Sequence, residues 1–463
     1  MAENSPTHKE DAVCRRSASN DDATWWADVA LRGAIVQNGH ARRSDSEVAG
    51  GKEHIWMDQP CHIPAPPQSP PFLARCAVST IFFVNGMVFA SWVPHLPAVK
   101  AQHAISDGQL GIVLLSMAVG SVLALPLAAW LIGRFGSRCM TALAALGFCL
   151  ALPLPIISHT VGLLAFSLML LGACNGTLDV SMNSQAVEVE RQYQHTIMSS
   201  FHGLFSLGGL VGAGVAGLGM SFGVGDVQHV TTISLLAVLA VVSVLRGLVP
   251  SPPQQASRGP TFVKPTGILS GLGILAFFGL LTEGAMADWS AVYLHDVLST
   301  NSATAAAGFA VCSLMMAVGR FGGDRLANRF GPRQLLRAGG TLAAAGLGSG
   351  LLIGKPIPAI LGFGLVGLGI SNIIPVLFSA AGRIHGVQAG TALAAVATTG
   401  YCGFLAGPPL IGFAAESTSL PVALGIVSAC CALIAISAGV VLHPLRFQTE
   451  TAGVPVQAAA GEG

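Results

Sequence analysis

Three acidic side chains lie inside apolar stretches of the sequence and are the first candidates for chemistry. Beyond residue 69 the chain carries twelve Asp and Glu residues, and all but Asp179, Glu283 and Asp288 fall in loops, at the ends of apolar stretches or in the carboxyl-terminal tail. A carboxylate at membrane depth costs at least about 2.5 kcal/mol, so it faces protein or water by default. Burial disfavours the charged form, which suits a group that takes up and releases a proton. We therefore expect these acids to mark a pathway through the molecule.

Polar residues at four-residue spacing surround Asp179. Asn175, Asp179 and Asn183 fall on one face of the predicted fourth span, because residues four apart are neighbours on a helix. His202, near the start of the fifth span, should lie at the same depth, and we expect it to pair with Asp179 and relay a proton. The alternative is structural, with the stripe holding helices together and His202 serving as an interfacial polar residue.

The predicted seventh span combines two acids with two aromatic rings. Glu283 lies near its middle, and Asp288 lies about 7 Å further along, at about 140° around the helix. One acid can therefore face a cavity while the other faces a neighbouring helix. Trp289 and Tyr293 add flat apolar surface with a polar edge, although both residue types also anchor helices at membrane interfaces. An acid, an amide and a ring together suit a neutral polyhydroxylated solute.

Two amides in other spans complete the predicted solute site. Asn85 lies in the first span and Asn372 in the tenth, and each either lines the cavity or bridges helices. The predicted solute-binding residues are Asn85, Asn175, Asp179, Glu283, Trp289 and Asn372, and the predicted proton-coupling residues are Asp179, Glu283, Asp288 and His202. A proton is favoured over sodium because the candidates are isolated carboxylates and one imidazole, although a carboxylate with backbone carbonyls also holds sodium.

Arginines near the ends of the spans are candidates for gating. Arg320 and Asp324 are four apart at the predicted cytoplasmic end of the eighth span, and such a pair can latch the inner face closed. The remaining gating candidates lie in short loops and are Arg134, Arg138, Arg329 and Arg333. The alternative is that these charges only set the orientation of the chain in the membrane.

The chain repeats itself at an offset of 195 residues. The motif Arg134-Phe135-Gly136, closed by Arg138, returns as Arg329-Phe330-Gly331 with Arg333, each time in a charged gap between apolar segments. The same offset relates Phe82-Phe83 to Phe277-Phe278, Gly172 to Gly367, and the pair Gly208/Gly212 to Gly403/Gly407. An apolar chain that repeats halfway predicts two membrane bundles with a path between them.

Composition requires that the elements carrying these residues cross a membrane. Hydrophobic residues make up 52% of the chain and charged residues 10%, with a mean hydropathy of +0.66. We predict an all-α integral membrane protein with twelve transmembrane helices in two pseudo-symmetric six-helix bundles. The predicted spans are near 73–97, 109–132, 139–158, 161–186, 197–221, 229–249, 267–294, 304–322, 335–353, 357–380, 389–414 and 420–442. The predicted domains are a disordered cytoplasmic tail over 1–69, bundles over 70–249 and 266–446, a linker over 250–265 and a tail over 447–463.

The charge balance restricts the partners and sets the orientation. The net charge of +1 without a basic patch predicts no nucleic-acid partner, and ten scattered cysteines without a Cys-x-x-Cys motif predict no metal and no cofactor. With the amino terminus inside, the inner loops carry fourteen Lys and Arg residues and the outer loops carry two. Since positive charge stays on the cytoplasmic side, we expect both termini in the cytoplasm and a monomer in the lipid bilayer of the inner membrane.

The loops after the second and eighth spans carry the motif by which the chain resembles the major facilitator superfamily. They read AWLIGRFGSR and DRLANRFGPR, where the superfamily favours Gly-x-x-x-Asp-Arg-x-Gly-x-Arg; Gly133 and Asn328 stand where the acid is expected. GACNGTLDVSMN, SSFHGLFSLGG and EGAMADWSAVYL are similar to a bacterial group that includes rhizopine transporters, and more distantly to fucose–proton symporters. The resemblance covers residues 70–446 and implies alternating-access transport of a small organic solute that resembles a sugar, inositol or amino-sugar.

Two other functions remain open. The run Gly403–Gly412 is similar to an exporter motif, although exporters place theirs on the fifth helix and this run lies on the eleventh, so export of drugs or amphipathic compounds is one alternative. A solute sensor of transporter fold is the other. The chain has no His-Glu-x-x-His, Gly-x-Ser-x-Gly or phosphate-loop motif, so we predict no enzyme. Without an ATP-binding motif, an ion gradient must drive uphill transport.

Overall fold

The described part of the chain folds into α-helices and contains no β-strand. The computed structural model describes residues 71–193, 197–250, 267–384, 387 and 389–442, without the side chains of residues 324 and 389–391. The helices are α1 Phe72–Trp92, α2 Leu96–Gln102, α3 Asp107–Ala151, α4 Val161–Tyr193, α5 Met198–Ser221, α6 Asp226–Val244, α7 Ile268–Val292, α8 Ser302–Phe330, α9 Pro332–Ile353, α10 Pro356–Ile370, α11 Ile373–Ala381, α12 Ala389–Ser417 and α13 Leu420–Val441. A 3-10 turn, Val93–His95, joins α1 to α2, and a π turn, Tyr293–Val297, follows α7. The predicted tails and most of the predicted linker lie outside the described residues.

Helix α3 contains two of the predicted spans. Its 45 residues extend to about 68 Å at 1.5 Å per residue, which is twice the hydrocarbon thickness of about 30 Å. Gly136 interrupts it with φ 81° and ψ 154°, and Gly331, at the junction of α8 and α9, repeats this with φ 79° and ψ 158°. Glycine adopts such positive φ values without strain. Eleven described segments are long and apolar enough to cross a membrane when α3 is counted once, and its two halves bring the number to the predicted twelve.

The helix contacts repeat at the offset found in the sequence. A Cβ at Gly172 of α4 would lie 1.9 Å from the backbone oxygen of Met117, and a Cβ at Gly367 of α10 would lie 2.1 Å from that of Cys312. Any side chain at these two positions would collide with the backbone of the neighbouring helix. Both members of each contact are 195 residues apart, which confirms the internal repeat.

Between the first helices of the two bundles the sequence offset is 194 residues, one fewer than in the other helices. A Cβ at Gly208 would lie 2.0 Å from the backbone oxygen of Phe83, and a Cβ at Gly403 would lie 2.2 Å from that of Phe277. Phe83 therefore corresponds to Phe277, and the predicted correspondence of Phe82-Phe83 with Phe277-Phe278 is wrong by one position. The close approach of the helices at both glycines is the one expected from small residues in membrane helices.

Helices of one bundle pack against helices of the other. Helix α5 contacts α8, and α12 contacts α3. Near the start of α3, a Cβ at Gly111 would lie 2.5 Å from the backbone oxygen of Pro408, and a Cβ at Gly412 would lie 2.6 Å from that of Asp107. We call this end of the molecule the closed end. The other end is called the arginine end, after the helix residues that flank Gly136 and Gly331: Arg134, Arg138, Arg329 and Arg333.

The outside of the helices is apolar. Leu123, Leu239 and Val440 have 66%, 65% and 76% of their surface exposed, and many other large apolar side chains are similarly open. A membrane span exposes such side chains to lipid while its backbone polar groups are satisfied within the helix. The chain is therefore a multi-pass membrane protein.

Candidate functional site

An acid and a tyrosine join the two bundles at mid-depth. The Tyr401 hydroxyl of α12 donates to Oδ2 of Asp179 on α4 at 2.7 Å. Asn183, one turn along α4, donates from Nδ2 to Oδ1 of Asp179 at 3.1 Å. Helix α4 continues to Tyr193, so Asp179 lies about 21 Å from its end. The carboxylate is therefore deep in the molecule and accepts a bond from each bundle.

A buried ion pair lies on the neighbouring helices. Arg320 of α8 donates from Nη2 to Oε1 of Glu283 on α7 at 3.2 Å. Its Nη1 donates to Oγ of Ser206 at 2.6 Å and to the backbone oxygen of His202 at 3.4 Å. Both acceptors belong to α5 of the other bundle, and Arg320 is only 9% exposed. The guanidinium thus also connects the two bundles.

These side chains form what we name the central cluster: Asp179, Tyr401, Glu283, Arg320 and Ser206. Glu283 is close enough to Asp179 for the two carboxylates to repel each other. With both acids ionised, the cluster carries two negative charges and one positive charge. A buried charge without compensation costs several kcal/mol, and a single proton would make the cluster neutral. The arrangement therefore has the chemistry to hold one proton.

The predicted pair of His202 with Asp179 is wrong. The His202 ring packs edge-on against Phe82, with centroids 5.3 Å apart, while the oxygens of Asp179 bind Tyr401 and Asn183. The predicted fourth span ended at residue 186, whereas α4 extends to residue 193. His202 lies only four residues into α5, so the two side chains differ in depth.

The predicted pair of Arg320 with Asp324 is not found in the described contacts of Arg320. The guanidinium binds Glu283 and Ser206 instead, and the side chain of Asp324 lies outside the described residues. The predicted eighth span ended at residue 322, but α8 continues to Phe330. Arg320 is therefore about 15 Å from the end of its helix and lies at the centre of the molecule.

Trp289 of α7 and Tyr293, in the π turn after α7, are both buried. Trp289 is 0% exposed, and its Nε1 has no hydrogen-bond partner among the described residues. Tyr293 is 1% exposed and packs edge-on against Phe363, with centroids 6.1 Å apart. Asp288 is half-buried, and the structure describes no bond between it and the central cluster. A role for Trp289 in solute binding and for Asp288 in proton coupling stays a prediction.

The three predicted amides have different surroundings. Asn372, at the break between α10 and α11, donates from Nδ2 to the backbone oxygen of Gly319 at 3.0 Å, which joins it to α8. Asn85 is 2% exposed and donates to Sδ of Met182 at 3.6 Å, and its Oδ1 has no partner in the described chain. Asn175 is half-buried one turn before Asp179. Asn372 thus bridges helices, as one of its two interpretations predicted.

The four arginines predicted to lie in loops are helical, and they pack against their own bundles. Arg134 lies over the ring of Trp130 at 5.7 Å, and its repeat partner Arg329 lies over Phe330 at 5.5 Å. Arg138 donates to the backbone oxygen of Leu245 at 3.5 Å. Its repeat partner Arg333 lies against Gly439 of α13. Gating by these four arginines stays a prediction.

Sequence reasoning missed Tyr401 and a cation at the closed end. The repeat contained a signal for Tyr401, which follows Ser206 by 195 residues, the repeat offset. At the closed end, Lys100 Nζ of α2 lies 2.6 Å from Asp107 Oδ1 of its own bundle and 2.8 Å from Asp296 Oδ2 of the other. This bridge adds an ionic contact between the bundles where helices α3 and α12 already touch.

Comparison with known proteins places the chain among membrane transporters. The family model for the Major Facilitator Superfamily matches residues 78–383. An uncharacterized MFS-type transporter of Yersinia pestis is 39% identical over 357 residues, which cover 77% of this chain and 93% of that protein. Membrane protein MosC of Rhizobium meliloti is 35% identical over 368 residues, which cover 77% and 89% of the two chains.

Two solved structures share the fold. The nucleoside transporter NupG has a TM-score of 0.60 at 11% identity, and the match covers 80% of this chain and 99% of NupG. The E. coli fucose:proton symporter FucP has a TM-score of 0.55 at 17% identity and covers 81% of this chain and 99% of FucP. At such identities the likeness concerns the fold alone.

Proposed function

The chain belongs to the major facilitator superfamily, and from this premise we propose that it is a secondary active transporter that carries a neutral, hydroxyl-rich ring compound together with a proton. The observation that carries the proposal is the hydrogen bond from Tyr401 to Asp179 across the bundles. It lies beside an acid whose charge is already balanced, Glu283 with Arg320. Proton binding at Asp179 would thus alter a contact between the two bundles, which move relative to each other during transport.

We assign the proton to Asp179. The partners of this carboxylate are the neutral donors Tyr401 and Asn183, so no positive charge directly contacts it. Glu283 has the guanidinium of Arg320 and needs no proton to be neutralised. Protonation of Asp179 replaces a charge-assisted hydrogen bond by a neutral one, and charge-assisted bonds are roughly twice as strong. The proton therefore weakens the attachment of α12 to α4.

The solute class follows from the donors and acceptors of the central cluster. Asp179 and Glu283 accept bonds from hydroxyl groups, and Arg320 donates to ring or hydroxyl oxygens. Glu283 has 23% of its side chain exposed, and Asp179 and Tyr401 are only half-buried, so a solute can reach them. The two solved structures with this fold, a nucleoside transporter and a fucose:proton symporter, agree with a hydroxyl-rich ring as the solute. The resemblance to the rhizopine group favours an inositol-like member of this class.

Transport would proceed by alternating access. In the described conformation the bundles touch at the closed end through α3 and α12 and through the Lys100 bridge to Asp296. Opening this end must break that bridge, while Lys100 keeps Asp107 of its own bundle as a partner. We place the protein in the inner membrane, with the closed end outside and both termini in the cytoplasm, because the arginines lie at the other end.

The test begins by finding a solute. Purified protein is screened by thermal shift against fucose, myo-inositol, an amino-inositol and uridine, since a bound solute stabilises the folded state. The stabilising compound is then followed in proteoliposomes. Asp179→Asn should abolish accumulation driven by a proton gradient but retain exchange of solute at equal pH, because exchange needs no net proton movement.

Asp288→Asn is the matched control for this experiment. It removes a carboxylate from a membrane helix outside the central cluster, so both accumulation and exchange should stay at the parent level. Accumulation that survives Asp179→Asn and is lost in Asp288→Asn would move the proton to Asp288. Binding without exchange in the parent protein would instead identify a sensor.

A further inference from the structure

A chain of two buried imidazoles and one partly exposed carboxylate lies at the closed end, away from the central cluster. His95 Nδ1 lies 3.1 Å from Oδ1 of Asp226, and His95 Nε2 lies 2.9 Å from Nδ1 of His229. His95 is 0% exposed and His229 is 6% exposed. Nothing in transport through the central cluster requires these residues. We name them the outer triad.

Local structure holds the triad together. His95 ends the 3-10 turn after α1, next to Pro94 and before Pro97, so its backbone position is restricted. Asp226 opens α6, and His229 follows three residues later on the same face of that helix. The two imidazole rings lie 5.1 Å apart at 40°. The three side chains therefore meet at the junction of α1, α2 and α6.

The two partners of His95 can accept the hydrogen bonds of an imidazolium. In the neutral triad, His95 Nδ1 donates to Asp226 and His229 Nδ1 donates to His95 Nε2. His229 Nε2 is then a buried acceptor without a partner among the described residues. When a proton is added at His229 Nε2 and the Nδ1 proton of His229 passes to His95 Nε2, His95 becomes an imidazolium that donates from both nitrogens, to Asp226 and to His229 Nδ1, while His229 Nε2 has no described partner in either state. A cation between a carboxylate and an imidazole acceptor has its charge and both its donors satisfied.

Few titratable groups lie on the elements that pack around the triad. Helix α2 contributes Lys100, which is bound to Asp107 and Asp296, and His103 follows it. The titratable residues of α1 are Arg75 and Cys76, at the arginine end. Helix α3 faces α6 with the backbone oxygen of Cys149, which accepts from Ser234, and helix α5 carries its one titratable side chain, His202, near its first turn. The turn Val93–His95 also packs against α7 and α8 of the other bundle, and the acids of α7 are Glu283, which is bound to Arg320, and Asp288.

We propose that the outer triad is a second proton-binding site, which takes one proton on His95 and thereby fixes α2 against α6 at the closed end. Helix α2 begins next to His95 and carries Lys100 five residues later. Fixing its start keeps Lys100 within reach of Asp296 in the other bundle. Acidification at the closed end therefore stabilises the closed conformation, because the Asp226–His95 contact becomes an ion pair.

The first test reads the shared proton directly. Histidine-labelled full-length protein in lipid is examined by solid-state nitrogen NMR between pH 8 and pH 5. We expect a coupling between the His95 and His229 ring nitrogens across their hydrogen bond, which is lost in His229→Asn, and conversion of His95 to the imidazolium within this range. Absence of the coupling, or a His95 that stays neutral throughout, overturns the proposal.

The second test measures the closed end. Spin labels attached to a keto amino acid replace the exposed residues His159 and Lys355, one at the closed end of each bundle, and their distance distribution is recorded at pH 8 and pH 5. The ratio of closed to open populations should rise about three- to fivefold on acidification. Asp226→Asn, which keeps the acceptor oxygen and removes the charge, should abolish the rise, as should His95→Gln.

His103→Gln is the matched control, since it removes a neighbouring imidazole outside the triad. Asp179→Asn is a second control, since it removes the proton proposed for the central cluster. In His103→Gln the rise on acidification should match the parent protein, and in Asp179→Asn it should be at least as large, because protonation of Asp179 no longer weakens the bond from Tyr401. A response that disappears in Asp179→Asn and persists in Asp226→Asn assigns it to the central cluster and refutes the outer site without touching the proposed transport function.

Discussion

The hydrogen bond from Tyr401 to Asp179 should stabilise the described conformation by an amount that can be measured. Tyr401→Phe removes one oxygen atom and keeps the ring, which lies 6.3 Å from that of Phe404. Hydrogen bonds to charged groups contribute about 1.5–3 kcal/mol. With tenfold per 1.4 kcal/mol, the ratio of closed to open populations should fall roughly 10- to 150-fold. Labels at His159 and Lys355 report this ratio.

A double-mutant cycle isolates the bond. Asp179→Asn keeps an acceptor oxygen and removes the charge, so it should lower the closed population less than Tyr401→Phe does, and the double variant should lie close to Tyr401→Phe, because the bond that Asp179→Asn weakens is then already absent. Tyr293→Phe is the control: it removes the same atom from a buried tyrosine that makes no described side-chain bond across the bundles, and it should change the ratio less than about twofold. Additive effects of the two changes at Tyr401 and Asp179 would refute the reasoning.

Three further predictions concern the closed end, the repeat and the topology. Lys100→Met should lower the closed population about two- to fivefold, since its ionic contacts are partly exposed, and 1 M salt should remove most of this difference from the parent protein; an equal effect at low and high salt would contradict an ionic role. Gly367→Ala places a methyl group 2.1 Å from a backbone oxygen and should sharply reduce folded protein in size-exclusion chromatography, whereas Gly425→Ala, which meets nothing within 4 Å, should not. A reporter fused after Arg446 should be active on the cytoplasmic side, and activity only outside the cell would reverse the proposed orientation.

The helices and their repeat could be predicted from the sequence. A membrane span is recognised by the length of its apolar run, and the repeat by the spacing of a few motif residues. Twelve crossings follow from composition, and the glycine of the Arg-Phe-Gly motif has the same backbone angles in both copies. The predicted residue correspondence in the first helices was wrong by one position. Two Phe-Phe pairs can be aligned in more than one register, and only the contacts of Gly208 and Gly403 show that Phe83 corresponds to Phe277.

The contacts of the site were harder to predict because helices extend beyond their apolar parts. Asp179 and Glu283 were identified as deep acids, and both belong to the central cluster. Their partners depended on depth: α4 and α8 continue past the predicted spans through polar residues. Because of this extra helix length, Asp179 and His202 lie at different depths, and Arg320 lies beside Glu283 and not at the end of its helix. A membrane span is recognised by its apolar residues, whereas its helix ends where backbone hydrogen bonding ends.

The contacts at the closed end had no sequence signal. His95, Asp226 and Lys100 lie at the ends of predicted spans, where charged and polar residues are ordinary. Their partners are distant in sequence, at 131 residues between His95 and Asp226 and 196 residues between Lys100 and Asp296. Only the packing of the bundle brings them together.

The glycine junctions have a mechanical consequence. Gly136 joins the two halves of α3, and Gly331 joins α8 to α9, each through a single residue outside the helical conformation. A one-residue connection has no slack, so the two crossings that it links cannot slide along each other. Each bundle thus contains one hairpin that transmits displacement from its first arm to its second. The first half of α3 and helix α8 also touch the opposite bundle. A displacement at the interface between the bundles should therefore also displace the second arm of each hairpin.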